Sequence, residues 1–181
     1  IYCIATMPDI EKTIMQTRQP TTTVVASNGE EINTYGNVYR DVVMLYYLKP
    51  YVIDAILSTE DRRYYSHFGF DVIAFGRAMM VNIMSGRFAQ GGSTITQQTA
   101  KNLFLTQNKT IKRKVQELML AFWLEYKLSK DQHLTLYINR VYLCSGTYGI
   151  QAASQKYFQK PASDLNMKED AIIAGLLKAP S

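Results

Sequence analysis

The sequence predicts a mainly α-helical domain with a short β-hairpin near its start. Three observations lead there. From Val42 onward, apolar residues recur at helical rather than alternating spacing. Two capping-box pairs, Thr94 with Gln97 and Ser129 with Gln132, mark helix starts. Convincing β-prone runs occur in one place only, around Asn28-Gly29.

Taken in chain order, residues 1–19 open with IYCIATMP, apolar up to Pro8. Two readings stand for this segment, a buried first strand or the stub of a membrane anchor. Residues 20–40 place TTTVVAS and EEINTY on either side of Asn28-Gly29, a dipeptide suited to a type I′ hairpin turn. The helical body is assigned to residues 41–181. Val52, Ile53, Ile56 and Leu57 share one stripe that runs into Glu60. Residues 71–85, DVIAFGRAMMVNIMS, read as a Met-rich apolar helix ending near Gly86. Gly91-Gly92 interrupts the chain before STITQQTAKNLF. Thr110 caps a long helix through Tyr126, with Val115, Leu118, Met119 and Phe122 predicted to face the core. Ser129 starts a helix to about Asn139, and Pro161 precedes a last one from about Lys168 to Leu177. The end, AIIAGLLKAPS, reads as a cut at a domain boundary within a longer protein.

Composition narrows the chemistry. The 181 residues, 47% hydrophobic, suffice for one domain with its own core. A net charge of +5 favours an anionic partner: nucleic acid, a phosphorylated substrate or an acidic membrane face. The basic part is local, since residues 101–130 hold seven Lys/Arg against Glu117 and Glu125. Two cysteines and two histidines exclude a disulfide framework and make a His/Cys metal enzyme a poor fit. Any metal would be a hard cation held by carboxylate and phosphate oxygens. No run of 18 apolar residues occurs, so nothing spans a bilayer unaided.

Three stretches carry chemistry. In TIKRKVQE, Arg113 and Lys114 share a helix surface with Glu117, either as a solvated ion-pair face or as a polyanion site. In GGSTITQQTAKN, glycines and hydroxyls precede a helix start. That pattern suits a backbone N–H anion cradle, with Gln98 and Lys101 further along the helix; the plain alternative is a capped turn. No Walker pattern is present. In STEDRRYYSHFGFD, Glu60 ends an apolar helix beside aromatic residues, and His67 reads as a structural hydrogen-bonding residue. Nucleophilic Ser or Cys chemistry has little support, because no G-x-S-x-G occurs and neither Cys has a His near it in sequence. Burial raises a carboxyl pKa and cations lower it, so Glu60 and Glu117 could divide base and electrostatic roles, the logic of sugar-transfer sites.

In this order, EDRRYYSHFGFD, QGGSTITQQTAKN and KRKVQE, followed by KDQHLTLYINRVYL and AIIAGLLKAP, resemble the signature motifs of family 51 peptidoglycan glycosyltransferases. These form the transglycosylase domain of bifunctional penicillin-binding proteins and of monofunctional relatives. The resemblance covers about residues 45–181. It implies a lysozyme-like helical fold with a small jaw that dips into the membrane, and residues 72–84 match that jaw. It implies lipid II and the growing glycan strand as substrates, with β-1,4 transfer, inversion and release of polyprenyl pyrophosphate. Carried over by position, Glu60 is the general base on the acceptor 4-hydroxyl, with Asp61 supporting it. Glu117 stands at the donor pyrophosphate, directly or through a divalent cation (Mg²⁺ or Mn²⁺). Thr94, Gln98, Lys101, Asn102, Arg113 and Lys114 line the donor pocket. The resemblance implies no organic cofactor and no nucleic acid. The setting it implies is the extracytoplasmic face of a bacterial cytoplasmic membrane, with a C-terminal transpeptidase domain in bifunctional members.

Four positions depart from the pattern in a way that bears on packing. His133 replaces an apolar residue and Thr135 a carboxylate. Cys144 stands where Gly is common, and Asp170 where Ala is expected; Tyr64 for Phe is milder. Glu60 and Glu117 are intact, so these changes touch stability before catalysis. Two rivals remain in view. A lysozyme-like lytic enzyme would share one catalytic Glu but would have no use for a pyrophosphate pocket. A non-catalytic basic module binding nucleic acid or anionic lipid would need only the 101–130 cluster, and no recognisable nucleic-acid motif accompanies it.

Overall fold

The helical spacing after Val42 corresponds to seven α-helices in a computed structural model that describes residues 22–29, 31–35, 38–39, 42–87, 89–105 and 110–178. They are α1 Pro50–Glu60, α2 Val72–Ser85, α3 Ile95–Phe104, α4 Ile111–Lys127, α5 Lys130–Arg140, α6 Ile150–Phe158 and α7 Met167–Lys178. The 1–19 segment, with its anchor-or-strand alternative, lies outside the described residues. Strand β1 (Thr22–Val25) pairs antiparallel with β2 (Glu31–Tyr35), with a register irregularity between Val24 and Val25. The turn differs from the predicted one. Gly29 donates its N–H to the Ala26 carbonyl at 2.9 Å and has φ of +85°, so it closes a turn over 26–29 instead of sitting at its centre. Strand β3 (Val38–Tyr39) pairs in parallel with β4 (Thr147–Tyr148), which ties the early chain to the loop after α5.

Helix α3 lies at the centre, packed on α4 and α5, while α1 lies along α7. Its start follows from the capping box: Thr94 accepts from the Gln97 N–H, and the Gln97 side chain accepts from the Thr94 N–H. The main core joins Val52 and Ile56 of α1, Ile95 of α3, Leu134, Tyr137 and Ile138 of α5, and Ile173 of α7. Each such side chain contributes ~1.5–3 kcal/mol by leaving water. A smaller cluster of Ala100, Leu120 and Leu124 joins α3 to α4. Asn139 binds the Val43 backbone in both directions at 2.8 Å and so fixes the approach to α1.

The face of α4 differs from the expected one. Val115 and Phe122 are exposed, and Leu118 and Met119 only half-buried; the inward face is Glu117, Leu120, Ala121, Leu124 and Glu125. The apolar pattern alone does not reveal this rotation, because two carboxylates point inward and are satisfied there. Helix α6 has no counterpart in the sequence reading. Its apolar positions Ile150, Ala153 and Tyr157 do follow helical spacing, but small and polar residues between them dilute the signal. Helix α2 is nearly all exposed. Ala78 is its one buried residue, whereas Met80, Ile83 and Met84 are 66%, 74% and 82% exposed. No helix among the described residues is long and apolar enough to cross a membrane.

The departures from the family pattern have local consequences. Cys144 adopts φ of +66° and is followed by Ser145 at +49°, a left-handed stretch that glycine enters at less cost. His133 is fully buried, and neither ring nitrogen forms a hydrogen bond, although the Leu124 carbonyl is close. Burial holds its pKa below the ordinary value. Thr135 turns its hydroxyl onto the Asp131 carbonyl of its own helix at 2.8 Å. Asp170 is buried with Oδ1 unpaired.

Candidate functional site

Glu60 is the last residue of α1, and the helix ends there with the Asp61 N–H donating to the Leu57 carbonyl. That position projects Glu60 into a cavity of about 730 Å³ whose lining includes Arg62, Arg77, Gly92, Gln98 and Lys178. The Gln98 amide donates from Nε2 to Glu60 Oε2 at 2.7 Å. Burial pushes the Glu60 carboxyl above its ordinary value, and the Gln98 hydrogen bond, Lys178 and Lys101 resist that rise. A half-buried carboxylate with one neutral donor is suited to exchanging a proton.

Asp61, one residue on, does something else. It is buried, its Oδ2 accepts the Ile95 N–H at 3.0 Å, and His67 Nε2 meets its two oxygens at 3.1 and 3.0 Å. Asp71 does the same for α2, accepting the Ile73 and Ala74 N–H groups at 2.9 Å while Arg63 lies 3.0 Å away. Burial raises the Asp71 pKa, but the Ala74 N–H, Arg63 and the Ile73 N–H outweigh it and hold the carboxyl below its ordinary value. Asp61, His67 and Asp71 lie close enough to hold a metal ion, yet both carboxylates are engaged as helix caps. They hold the frame of the cavity.

Those bonds bear on the choice between an anion cradle and a capped turn, and three of them match the capped turn. At the start of α3 the Thr94 N–H goes to the Gln97 side chain, the Ile95 N–H to Asp61 and the Gln97 N–H to Thr94. Thr94 Oγ1 in turn donates to the Gly69 carbonyl at 2.7 Å and is buried. The protein's own groups therefore satisfy these three helix donors.

Glu117 supplies the second carboxylate, in a contrasting setting. It is 2% exposed; Arg113 donates to its Oε2 at 2.5 Å and Lys114 Nζ bonds its Oε1. Lys114 also reaches Ser93 Oγ at 2.8 Å, anchoring the segment before α3 to α4. Both Glu117 oxygens are thus paired with cations. The residues as folded do not fit a resident divalent cation there, since an ammonium or guanidinium already provides the charge. Lys101 is half-buried on α3 and acts on Glu60 through its charge; Asn102 is exposed on the same helix.

Of the nine predicted site residues, Glu60 and Gln98 are brought together, as are Arg113, Lys114 and Glu117. Asp61 and Thr94 line the same cavity as Glu60 and Gln98 while also serving as structural caps. Sequence reasoning missed Arg62, Arg77 and Lys178 around the cavity and Tyr137 behind Gln98. Lys178 lies in the quoted AIIAGLLKAP and Tyr137 in LTLYINR, so both were within the motifs but without a stated task. A second, apolar cavity of about 590 Å³ lies between Phe75 and Met79 of α2, Gly91-Gly92 and Lys114. An added Cβ at Gly92 would stand 3.1 Å from the Phe75 backbone, so glycine permits the close approach there.

Comparison with known proteins adds a family match. The model of the transglycosylase family matches residues 28–181. Penicillin-binding protein 1A of Aquifex aeolicus is 45% identical over 158 residues, which is 87% of this chain and 22% of that protein. Penicillin-binding protein 1A of Escherichia coli is 42% identical over 179 residues, 98% of this chain and 20% of its own length. Penicillin-binding protein 1F of Bacillus subtilis is 44% identical over 158 residues, again 87% and 22%. The chain spans about a fifth of the length of these curated relatives.

Proposed function

The chain belongs to the transglycosylase family, and from that premise we propose that it is a peptidoglycan glycosyltransferase, polymerising lipid II into β-1,4-linked glycan. The observation that carries the reading is the pairing of a carboxylate raised by burial, Glu60, with a separate cation-clamped carboxylate, Glu117. Glu60 takes the proton from the 4-hydroxyl of the acceptor sugar. That oxygen attacks the donor's anomeric carbon from the face opposite the pyrophosphate, and the bond to pyrophosphate breaks with inversion. Negative charge builds on the leaving group, where Arg113, Lys114 and Lys101 stabilise it. Glu117 keeps the two cations of α4 in place, and the Ser93 contact ties them to the cavity wall.

Further parts of the reading follow the same premise. The exposed apolar face of α2 dips into the outer leaflet of the bacterial cytoplasmic membrane as a small jaw, and the apolar cavity beside it receives the polyprenyl chain. The longer protein carries a transpeptidase domain after this one. A divalent cation, if used, arrives on the pyrophosphate and not on Glu117. A glycan-cleaving enzyme would have no need for the Arg113–Glu117–Lys114 clamp, because its leaving group is a sugar.

The test is incubation with labelled lipid II and, separately, with preformed glycan. Polymer from the first with none of the second cleaved supports the proposal. Cleavage of preformed glycan without polymerisation overturns it.

A further inference from the structure

We infer that Tyr137 is a positioning residue for the transfer reaction, acting through Gln98 to fix which end of that amide faces Glu60. The inference rests on the reading of Glu60 as the base. Tyr137 stands on α5 and is 1% exposed, among the largest fully buried side chains of the described residues. A phenol hydroxyl at that depth requires an acceptor. Its hydroxyl donates to Gln98 Oε1 at 3.5 Å, and the Nε2 of the same amide donates to Glu60 Oε2 at 2.7 Å.

An amide has one accepting and one donating end, so occupying the first determines what the second can do. With Oε1 facing the Tyr137 hydroxyl, Nε2 is turned to the carboxylate. The flipped amide would set its oxygen against a Glu60 oxygen, two acceptors facing each other, and would leave the phenol proton without its acceptor. Oε2 of Glu60 is thereby committed to Gln98, and Oε1 is the oxygen left to take a proton.

The groups that face Glu60 are few. Asp61 follows it in the chain, Lys101 comes from α3, Tyr137 from α5 and Lys178 from α7, while Arg62, Asp71 and Arg77 line the same cavity. Among the described residues Gln98 alone donates a hydrogen bond to Glu60. Burial and Asp61 raise the carboxyl pKa; the Gln98 bond, Lys178 and Lys101 lower it. Losing the ordered Gln98 donor therefore moves the acid limb of the rate profile to higher pH. The lysines and Asp61 are unchanged by that loss.

The experiment follows lipid II polymerisation against pH for wild type, Tyr137→Phe, Gln98→Leu, the double variant and Glu60→Gln. Tyr137→Phe keeps the ring and removes only the hydroxyl. The expected result is a kcat lowered ~3- to 10-fold on the acid side, an acid limb moved upward and an unchanged KM. The double variant should be no worse than Gln98→Leu alone, because the two act in series. An unmoved pH profile in Tyr137→Phe, or a loss that adds in full to that of Gln98→Leu, overturns the inference while leaving Glu60 as base. Full activity of Glu60→Gln overturns the base assignment and takes the inference with it.

Discussion

Glu60 and Glu117 meet opposite partners: Glu60 accepts one hydrogen bond from the neutral Gln98 amide at 2.7 Å, whereas Glu117 is clamped between Arg113 and Lys114. The first arrangement leaves a carboxylate able to gain a proton. The second uses a buried carboxylate to hold two cations. This division gives distinct expectations for each side chain.

Glu60→Gln should lower polymerisation by at least about a hundredfold, since it removes the proton acceptor while keeping the shape. Lipid II binding should persist. In the wild type, burial raises the carboxyl pKa, so the ionised, active form is lost at a higher pH than for an ordinary glutamate. The rate should therefore rise with pH along an acid limb that lies higher than an unperturbed glutamate would give. Near wild-type turnover in Glu60→Gln, measured with labelled lipid II, would show that another group takes the proton.

Arg113→Ala and Lys101→Ala should part company in a thermal melt. Both should weaken binding of lipid II, by about tenfold or more for lost charge-assisted bonds. Only Arg113→Ala leaves a 2%-exposed carboxylate short of a partner, a change that costs several kcal/mol in buried pairs. Arg113→Ala should melt well below wild type and Lys101→Ala close to it. Equal melting temperatures for the two would mean that Glu117 has other compensation.

Much of this is legible in the sequence. Helix starts at Ile95 and Lys130 followed from Thr94-Gln97 and Ser129-Gln132, because a capping box is a local, self-contained hydrogen-bond pattern. The face of α4 was not, because Glu117 and Glu125 point inward and pattern reading assigns carboxylates to solvent. The N–H groups at the start of α3 suited either an anion cradle or a capped turn, and Asp61 takes one of them from 34 residues away. Tyr137 gave no sign of its link to Gln98, 39 positions back, for the same reason. Local rules revealed the elements, and the long-range polar contacts decided which motif residues face the cavity.

Lys130→Met should destabilise the protein without touching the cavity. Lys130 Nζ binds Glu125 Oε1 at 2.7 Å and lies 4.6 Å from the Tyr64 ring centre, and Thr96 donates to the same carboxylate at 2.6 Å. Removing the lysine strands a buried anion, at a cost of ~3–5 kcal/mol. Lys130→Met with Glu125→Gln should recover part of that loss, because the stranded charge is gone. Urea unfolding of the three proteins checks it; equal midpoints for the single and double variants would mean that the charge is solvated.

Ile83→Glu with Met84→Glu should weaken binding to anionic lipid vesicles. Both side chains project from α2 into solvent, and burying them in a bilayer interface contributes ~1.5–3 kcal/mol each. Co-sedimentation should show a loss of about tenfold or more, with the melting temperature unchanged because neither residue contacts the core. Retained vesicle binding would place the membrane contact elsewhere.

Asp170→Ala should stabilise the protein at neutral pH and lose that advantage in acid. Asp170 is buried with Oδ1 unpaired, and burial pushes its carboxyl up to about 6 from an ordinary 3.8. A raised folded-state pKa means that the folded protein binds the proton more tightly than the unfolded chain. Its contribution is therefore fully present below about pH 4 and is lost as pH rises through about 6. At pH 7.5 the ionised group costs on the order of 1–3 kcal/mol, which alanine removes. Melting temperatures of wild type and Asp170→Ala should thus converge near pH 4 and separate above pH 6. A gap that stays constant with pH would mean that the substitution acts through helix propensity and not through the buried charge.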